Sequence, residues 1–307
     1  MAGTGRRRFL SSAALALPAG ILANAPQGDR TNHPAMKVTR IEALLLERPL
    51  ADRFWMSIFP IGGMKPVARR LIVKVYTDAG VVGYGEGAGG GAGLFRQGLA
   101  DLVIGEDPFM VGKVWEKLFA ITYSRELVKR NWSRTDVIEA IAAIDAALYD
   151  IMSKSAGQPL YKFLGGYRAS VPAYVTGGYY REGKGIPELV KEALGYIEQG
   201  YNAIKLKVGG VSGGYTVEDD YQRVKAVRDA VGPQVKLMLD ANQGYTASEA
   251  LLCLEALDDH GIRPLLMEQP VHKDDYEGLR YVTQHTPVPI AADESAYSAA
   301  PATSMRS

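Results

Sequence analysis

Hydrophobic and polar residues alternate in the first strongly patterned part of the chain. The segments "KVTRIEALLLER" (37–48) and "VARRLIVKVYT" (67–77) both alternate, and "VVGYGE" (81–86) follows the turn Asp78-Ala79-Gly80. Successive side chains of a strand point to opposite faces, so alternation of period two favours strands with one buried face. The pattern therefore predicts an antiparallel meander of three strands.

Helical periodicity follows this meander. Pro108 stands at the start of a helical pattern over residues 108–122, and residues 135–156 carry apolar side chains at helical spacing up to Gly157. Apolar residues three and four positions apart lie on one face of a helix, and glycine is common just after a helix ends. We therefore expect an α+β domain over residues 36–160.

From Val171 onward, strands and helices alternate. Each predicted strand is a short apolar run, and a helical pattern separates it from the next. The strands are "VPAYVT", "AIKLKV", "VKLMLDA", "PLLMEQP" and "VPIAADE", and the helices cover about 186–199, 217–231, 246–259 and 274–284. Such alternation predicts parallel βαβ units, with a sheet that is covered on both faces.

Two parallel architectures compete for residues 166–307, a doubly wound sheet and a (β/α)8 TIM-type barrel. No glycine-rich phosphate turn follows the first strand, which argues against a dinucleotide-binding sheet. A barrel needs eight strands, and the pattern supplies about five. The final residues, "SAAPATSMRS", show no helical pattern. We therefore expect an incomplete barrel in a chain that is truncated at its C-terminus.

Composition and net charge exclude few classes of function, but they argue against some kinds of partner. The 307 residues carry a net charge of +1, which gives no electrostatic reason to expect nucleic acid or an anionic membrane as a partner. No internal apolar run is long enough to span a bilayer. The single cysteine, Cys253, excludes an intrachain disulfide and argues against a cysteine-based zinc site.

Residues 1–35 have a different character from the rest of the chain. The stretch "RRRFLSSAALALPAGILANA" has an arginine cluster, a short apolar region and a small-residue triplet, Ala23-Asn24-Ala25. That layout is typical of an export signal, and the arginines resemble the twin-arginine variant. The alternative is a basic, disordered tail. The protein is expected to be periplasmic or exported, or cytoplasmic if Met36 is the true start.

Acidic residues end three successive predicted strands. Asp240 ends "MLDAN", Glu268 ends "LMEQP", and Asp293 and Glu294 end "AADES". The carboxyl ends of parallel barrel strands meet at one mouth, where carboxylates without a partner would repel one another. A hard divalent cation with oxygen ligands relieves that repulsion, and Mg²⁺ fits. The alternative is that each acid only caps the following helix.

Two lysines lie in the strand that precedes the Asp240 strand. Lys205 and Lys207 are two positions apart in "NAIKLKVGG", so they share one face of the strand. Beside a metal, a substrate carboxylate would be held with its α-carbon near Lys207. A lysine becomes a base at neutral pH when a neighbouring cation and partial burial favour its neutral form. The alternative is two solvent-facing lysines on an edge strand.

The order K-x-K, D-A-N, E-Q-P and A-D-E-S, one motif per strand, resembles the mandelate racemase/muconate lactonizing branch of the enolase superfamily. The likeness runs from about Met36 to Ser298 and includes "GVVGYGEG" and "IAAIDAALYDIMSKSAGQPLYKFLGG", which are typical of that family's capping domain. The resemblance implies a capping domain over residues 36–165 and a barrel over residues 166–307. It also implies a Mg²⁺ cofactor and, for full-length relatives, homo-oligomers.

The resemblance implies a role for each strand-end residue. Asp240, Glu268 and Asp293, rather than Glu294, would bind Mg²⁺, Lys207 would be the base, and Lys205 would polarise the substrate carboxylate. Capping-domain loops in residues 50–64 would set specificity, with candidates Arg53, Phe54 and Trp55. The second catalytic group would come from strands six to eight of a full barrel.

The expected function is Mg²⁺-dependent removal of the proton α to the carboxylate of a small substrate. Dehydration of an acid sugar is favoured. Racemisation or epimerisation of a dipeptide or amino-acid derivative, and cycloisomerisation, are alternatives in the same superfamily. Outside that class, the chain could be an inactive truncated fragment or a sugar-binding module with a hinge and no metal dependence.

Overall fold

The computed structural model describes residues 36–57, 65–292 and 294. Its first part contains an antiparallel sheet of β1 (Val38–Phe54), β2 (Lys65–Thr77) and β3 (Val82–Gly87), in the order β1-β2-β3. The apolar residues of central β2 face the core, where Leu71, Val73 and Val75 are fully buried. The predicted meander is confirmed, and β1 runs further than predicted, to the edge of the site described below.

Five α-helices lie in the described residues of this first part of the chain. They are α1 (Ala92–Leu94), α2 (Val111–Phe119), α3 (Arg125–Lys129), α4 (Arg134–Ser155) and α5 (Leu160–Phe163). The long helix α4 begins where the Ser133 side chain accepts a hydrogen bond from the Asp136 amide, which satisfies one of the free N–H groups of the first turn. Its buried face carries alanines and larger aliphatic residues, and it packs on the sheet.

Glycines of β3 allow α4 to lie directly against the strand. A Cβ atom at Gly85 would lie only 2.9 Å from the carbonyl carbon of Ala143, and one at Gly83 would lie 3.0 Å from that of Ala147. Both are shorter than the normal contact between carbon atoms, which is about 3.5–4.0 Å. Gly83 and Gly85 of "GVVGYGEG" are therefore explained by backbone contact between a helix and a strand.

The second part alternates strands and helices, as predicted. Its elements are β4 (Val175–Gly177), α6 (Ile186–Glu198), β5 (Ala203–Lys207), α7 (Val217–Val231), β6 (Lys236–Asp240), α8 (Ala247–Asp259), β7 (Met267–Glu268), α9 (Tyr276–His285) and β8 (Ile290–Ala291). All neighbouring strands are parallel, in the order β4-β5-β6-β7-β8. The apolar side chains of these strands and helices form a core of their own.

The strand order distinguishes between the two architectures considered from the sequence. A doubly wound sheet reverses its strand order at a switch point, whereas a barrel adds each strand beside the last one. Among the described residues the order never reverses, so the α/β part follows the barrel progression. The number of strands in the whole barrel and the exact domain boundaries stay predictions.

The two parts meet between β1 and the loop after β4. Trp55 and Tyr180 exchange backbone hydrogen bonds of 3.0 and 3.2 Å, and their rings stack with centroids 6.3 Å apart. Ser57 is fully buried, and its carbonyl accepts a hydrogen bond from the Ser212 hydroxyl. The first part of the chain therefore contacts the loops at the carboxyl ends of the parallel strands.

No helix in the described part of the chain is both long and apolar enough to cross a membrane. The predicted export signal lies within residues 1–35, outside the described residues, and the predicted export stays a prediction.

Candidate active site

Strand β5 places the two lysines on the inner face of the parallel sheet. Lys205 and Lys207 are buried, with 7 % and 4 % of their surface exposed, while Ile204 and Leu206 point the other way into the apolar core. This strand is paired on both sides, with β4 and β6. The alternative of solvent-facing lysines on an edge strand is therefore wrong.

Two of the predicted carboxylates stand side by side at the ends of the next strands. Asp240 is the last residue of β6 and Glu268 the last of β7, and the parallel register pairs them directly. Neither caps a helix, because Thr246 caps α8 and Asp275 caps α9. The explanation that these two acids only cap helices is therefore wrong, and their position at the mouth must have a different cause.

Lysines and carboxylates form one connected cluster. Lys207 Nζ donates to Asp240 Oδ2 at 2.6 Å, and Lys205 Nζ donates to Glu268 Oε2 at 2.5 Å. Lys205 Nζ also lies 3.5 Å from the same Asp240 oxygen. Asp240 itself is only 2 % exposed. The charges of the cluster are therefore largely removed from water and compensate one another.

Charge keeps Lys205 protonated. Burial disfavours its ammonium form, but the hydrogen bond to Glu268 and the charges of Asp240 and Glu268 outweigh burial and raise the pKa of Lys205 above its usual value. A lysine with a raised pKa remains a cation at neutral pH. Lys205 is thus suited to hold negative charge, and not to accept a proton.

Asn242 is a member of the cluster that sequence reasoning left unassigned. Its side-chain oxygen accepts a hydrogen bond from Lys207 Nζ at 2.7 Å, and its amide nitrogen donates to Glu294 Oε1 at 2.9 Å. Its backbone N–H donates to Asp240 Oδ1 at 3.0 Å. Asn242 therefore orients both the predicted base and a predicted metal ligand. The motif D-A-N contained this residue, but spacing by itself assigned only the aspartate.

The backbone at the strand ends lies in the left-handed region. Asn242, Gln243 and Gln269 have φ angles of 40°, 69° and 40°. Residues other than glycine rarely adopt this conformation, and such outliers concentrate at functional sites. Here the strained turns carry Gln243 Nε2 to the Glu294 carboxylate and Gln269 Oε1 to the Glu294 N–H. Glu294 is therefore held by the loops that follow β6 and β7.

The third predicted metal ligand, Asp293, lies outside the described residues, so its role stays a prediction. Within the described ranges, no three acidic, histidine or cysteine residues converge as a metal cluster. The donors present do suit Mg²⁺, because the carboxylates of Asp240 and Glu268 are hard oxygen ligands. Both reach a single cation in the structure, Lys205 Nζ, so two carboxylates already converge on one positive charge.

Aromatic rings line the cluster on the side of β4. Lys205 Nζ lies 5.3 Å from the centre of the Tyr174 ring, and Lys207 Nζ lies 5.2 Å from that of Tyr179. Burial, and then the charge of Asp240, raise the pKa of Tyr179, so this hydroxyl stays neutral. The Phe54 ring packs against Tyr179 with centroids 4.7 Å apart. Of the three capping-domain candidates, Phe54 thus reaches a ring beside the predicted base.

The other two capping-domain candidates have different surroundings. Trp55 is buried against Tyr180, which makes it a packing residue, while Arg53 is exposed. Residues 58–64 of the predicted specificity loop lie outside the described residues.

Comparison with known families gives two matches that follow one another along the chain. The mandelate racemase/muconate lactonizing enzyme N-terminal domain matches residues 58–165, and the enolase C-terminal domain-like family matches residues 188–306.

Curated relatives include more than one reaction class. Arabinonate dehydratase of Saccharolobus solfataricus is 36 % identical over 74 % of this chain and 59 % of its own length. The hydrophobic dipeptide epimerase of Enterococcus faecalis is 34 % identical over 86 % of this chain and 70 % of its own. The chain therefore spans about three fifths of the first of these relatives and more of the second.

Solved structures with the same fold contain a metal and a carboxylate ligand. The dipeptide epimerase from Enterococcus faecalis, complexed with Mg and the dipeptide L-Leu-L-Tyr, matches with a TM-score of 0.69 and 32 % identity, over 83 % of this chain and 67 % of that one. A variant of L-talarate/galactarate dehydratase liganded with Mg and L-glucarate matches with a TM-score of 0.74 and 26 % identity, over 92 % and 69 %.

Proposed function

This chain belongs to the mandelate racemase/muconate lactonizing enzyme family of the enolase superfamily, whose members include lyases and isomerases, and we propose that it removes the proton α to the carboxylate of a small substrate. The observation that carries the proposal is the contact of 2.6 Å between Lys207 Nζ and Asp240 Oδ2. A candidate base is thereby adjacent to a candidate ligand of the metal that would hold the substrate.

Lys207 is the group that accepts the proton. In the structure its Nζ donates to Asp240 and Asn242, so the side chain is held beside a candidate metal ligand. A divalent cation on the Asp240 carboxylate would repel the lysine ammonium and favour the neutral form, which is the form that can take a proton from carbon. Lys205, held as a cation between Asp240 and Glu268, would bind the substrate carboxylate.

Asp240, Glu268 and Asp293 would hold Mg²⁺. When bound, Mg²⁺ supplies positive charge that stabilises the negative charge on the substrate carboxylate oxygens as the α-proton leaves. Asn242 hydrogen-bonds both Asp240 and Lys207 and so fixes their relative positions, and the rings of Tyr174 and Tyr179 lie beside the lysines.

Dehydration of an acid sugar is the reaction that we favour. After the α-proton passes to Lys207, the β-hydroxyl takes up one proton, from the protonated lysine or from solvent, and leaves as water; the enol then loses its hydroxyl proton and gains one at the β-carbon to give a 2-keto acid. Support comes from the similarity to an arabinonate dehydratase and to a dehydratase structure liganded with L-glucarate. Epimerisation of a dipeptide is the second candidate, supported by the similarity to a hydrophobic dipeptide epimerase. In that reaction a proton returns to the opposite face of the same carbon.

Exchange of the α-proton with solvent deuterium tests the proposed step directly, because it needs only one base. The protein would be incubated in D₂O with Mg²⁺ and with arabinonate, glucarate or L-Leu-L-Tyr, and deuterium would be measured by NMR and mass spectrometry. Loss of a positioned base typically costs about 10²–10⁴-fold in rate, so Lys207→Ala should abolish measurable exchange.

Lys236→Ala is the matched control, because Lys236 lies exposed at the opposite end of the same sheet, and it should exchange at the wild-type rate. Exchange in Lys207→Ala at the wild-type rate would refute the assignment of the base. A 2-keto acid among the products identifies dehydration, whereas a deuterated and inverted α-carbon identifies epimerisation.

Mg²⁺ binding has a separate test that needs no substrate. A ligand that binds only the folded state stabilises it by mass action, so saturating Mg²⁺ should raise the melting temperature. Glu268→Gln should remove most of that rise, because it removes one carboxylate ligand. A melting temperature that is indifferent to Mg²⁺ would favour the non-catalytic alternative.

A further inference from the structure

A second buried carboxylate lies behind the active-site strands. Asp220 is on α7, and none of its surface is exposed. The family resemblance assigned it no role, and the reaction proposed above does not use it. A carboxylate so far from water is costly unless each of its oxygens is satisfied. The groups that satisfy it therefore indicate what it does.

Donors to Asp220 come from three separate loops at the carboxyl ends of the strands. Tyr180, after β4, donates its hydroxyl to Oδ1 at 2.6 Å. Gly209 and Gly210, after β5, donate their N–H groups to Oδ2 at 2.8 and 3.2 Å. Tyr245, after β6, donates its hydroxyl to the same oxygen at 2.9 Å. One side chain thus ties together three adjacent loops of the mouth.

Arg223 extends this network to backbone carbonyls. It lies one turn along α7, with Nε 3.6 Å from Asp220 Oδ1, and its Nη2 donates to the Gly178 carbonyl at 2.6 Å and lies 3.5 Å from the Lys207 carbonyl. Its guanidinium packs over the Tyr180 ring at 4.4 Å. Lys207, the predicted base, therefore lies between the two residues. Arg223 is near its carbonyl group, and Asp220 accepts from the N–H groups of Gly209 and Gly210 that follow it.

The backbone at Gly209 leaves no room for adjustment. Gly209 has a φ of +81°, and a Cβ there would lie 2.7 Å from the Ala241 carbonyl oxygen and 3.2 Å from the Ser57 side chain. The Val208 N–H donates to the Asp240 carbonyl at 3.0 Å. The end of β5 thus lies in close contact with the loop after β6 and with Ser57 of the first part of the chain, and the hydrogen bonds to Asp220 hold the turn in that place.

We propose that Asp220 is a positioning residue, which sets the place of Lys207 Nζ by holding the Gly209–Gly210 turn against the loops after β4 and β6. The inference rests on the proposed function of Lys207 and adds a role for a residue that touches neither the substrate nor the metal ligands. Tyr180 also exchanges backbone hydrogen bonds with Trp55, so the hydrogen-bond network of Asp220 is connected to the segment that follows β1.

Asp220→Asn is the test variant, because it keeps the shape of the side chain but replaces one acceptor oxygen by a donor that cannot pair with an N–H group. Glu192→Gln is the matched control. Glu192 on α6 also accepts from a backbone N–H, that of Gly178, and from a tyrosine hydroxyl, that of Tyr196. It also pairs with Lys184, and none of these partners belongs to the turn after β5. Both variants would first be shown to be folded by circular dichroism.

The first readout is deuterium uptake of backbone amides, measured by mass spectrometry on peptides that cover residues 205–212. Asp220→Asn should speed uptake in this segment at least about tenfold, because the hydrogen-bonded acceptor of two amides is altered. Glu192→Gln should leave the segment at the wild-type rate. Unchanged protection of residues 205–212 in Asp220→Asn would overturn the proposal, whatever the catalytic result.

The second readout is α-proton exchange at varied substrate concentration. A displacement of about 1 Å can cost about 100-fold in rate, so Asp220→Asn should lower the rate at saturating substrate by that order. Its KM and its Mg²⁺ affinity should stay within about threefold of wild type, since Asp220 does not touch Asp240 or Glu268.

Failures of the two proposals can be told apart. An active wild type with an equally active Asp220→Asn variant overturns the positioning role alone. A wild type that exchanges no substrate overturns the proposed function, and the positioning role falls with it. A parallel loss of rate in Glu192→Gln would also overturn the proposal, because a general loosening of the loops would then explain the result.

Discussion

Replacement of Gly85 by alanine tests the most demanding feature of the packing in the first part of the chain. Gly85 lies on β3, facing α4, and a Cβ there would lie 2.9 Å from the Ala143 carbonyl carbon and 3.0 Å from the Ala147 amide nitrogen. Carbon contacts in proteins lie at about 3.5–4.0 Å. The Ala143 carbonyl oxygen is nearer still, so the helix and the strand must separate by more than about 1 Å to admit one methyl group.

The loss of unfolding free energy follows from the packing contacts that this separation weakens. Even a gap of about 0.5–1 Å forfeits a quarter to a half of the dispersion energy of each facing atom pair. The side chains that α4 packs in the core include the fully buried Ile144, Leu148 and Ile151. Overpacking usually costs about 1–3 kcal/mol, and the obstacle here is backbone, which has no alternative rotamer. We therefore expect Gly85→Ala to lose about 3 kcal/mol or more of unfolding free energy.

Urea denaturation followed by tryptophan fluorescence is the appropriate assay. Trp132 is buried in this core, and Trp115 packs against it, so the signal reports on the part of the chain that the substitution perturbs. Gly112→Ala is the matched control. Gly112 lies in α2 without a left-handed φ, and a Cβ added there would meet nothing within 4 Å, so alanine should be neutral or add up to about 1 kcal/mol. A Gly85→Ala variant within about 0.5 kcal/mol of wild type would refute the backbone contact between α4 and β3.

Two further predictions concern charge and capping. Glu106 accepts hydrogen bonds from Lys113 and Lys117, which lower its pKa to about 2, so its contribution is present above its unfolded pKa and is lost as the pH falls through about 2. Glu106→Gln should therefore cost about 0.5–1 kcal/mol near neutral pH, and urea midpoints should converge with wild type as the pH falls below about 4; a difference that is constant with pH would contradict the ion-pair explanation. Thr246 accepts from the Glu249 N–H and forms a capping box at the start of α8, so Thr246→Ala should cost about 1 kcal/mol in the same assay, and an unchanged midpoint would show that the cap is dispensable.

The order and type of the strands and of the long helices followed from the sequence alone, whereas the short helices α1, α3 and α5 were not predicted. Period-two alternation identified β1, β2 and β3, and the strand–helix rhythm after Val171 identified all five parallel strands, because apolar periodicity is set by how each element buries one face. The same rhythm, with one acid per strand end, was enough to place Asp240 and Glu268 at the mouth and the two lysines beside them. The resemblance to the family then named the same residues, and the comparisons bear out the family itself.

Tertiary structure decided what each charge is paired with. The sequence placed Lys205 and Lys207 on one face, and the resemblance gave them different roles. Their partners are known only from the fold, in which Lys205 bridges Asp240 and Glu268, whereas Lys207 lies between Asp240 and Asn242. Asn242 and Asp220 were not assigned from the sequence, because a hydrogen-bond partner on another strand or helix leaves no periodic signal along the chain. Spacing along one chain fixes which element carries a residue, but only the packing of several elements brings each lysine within hydrogen-bond distance of its own partners.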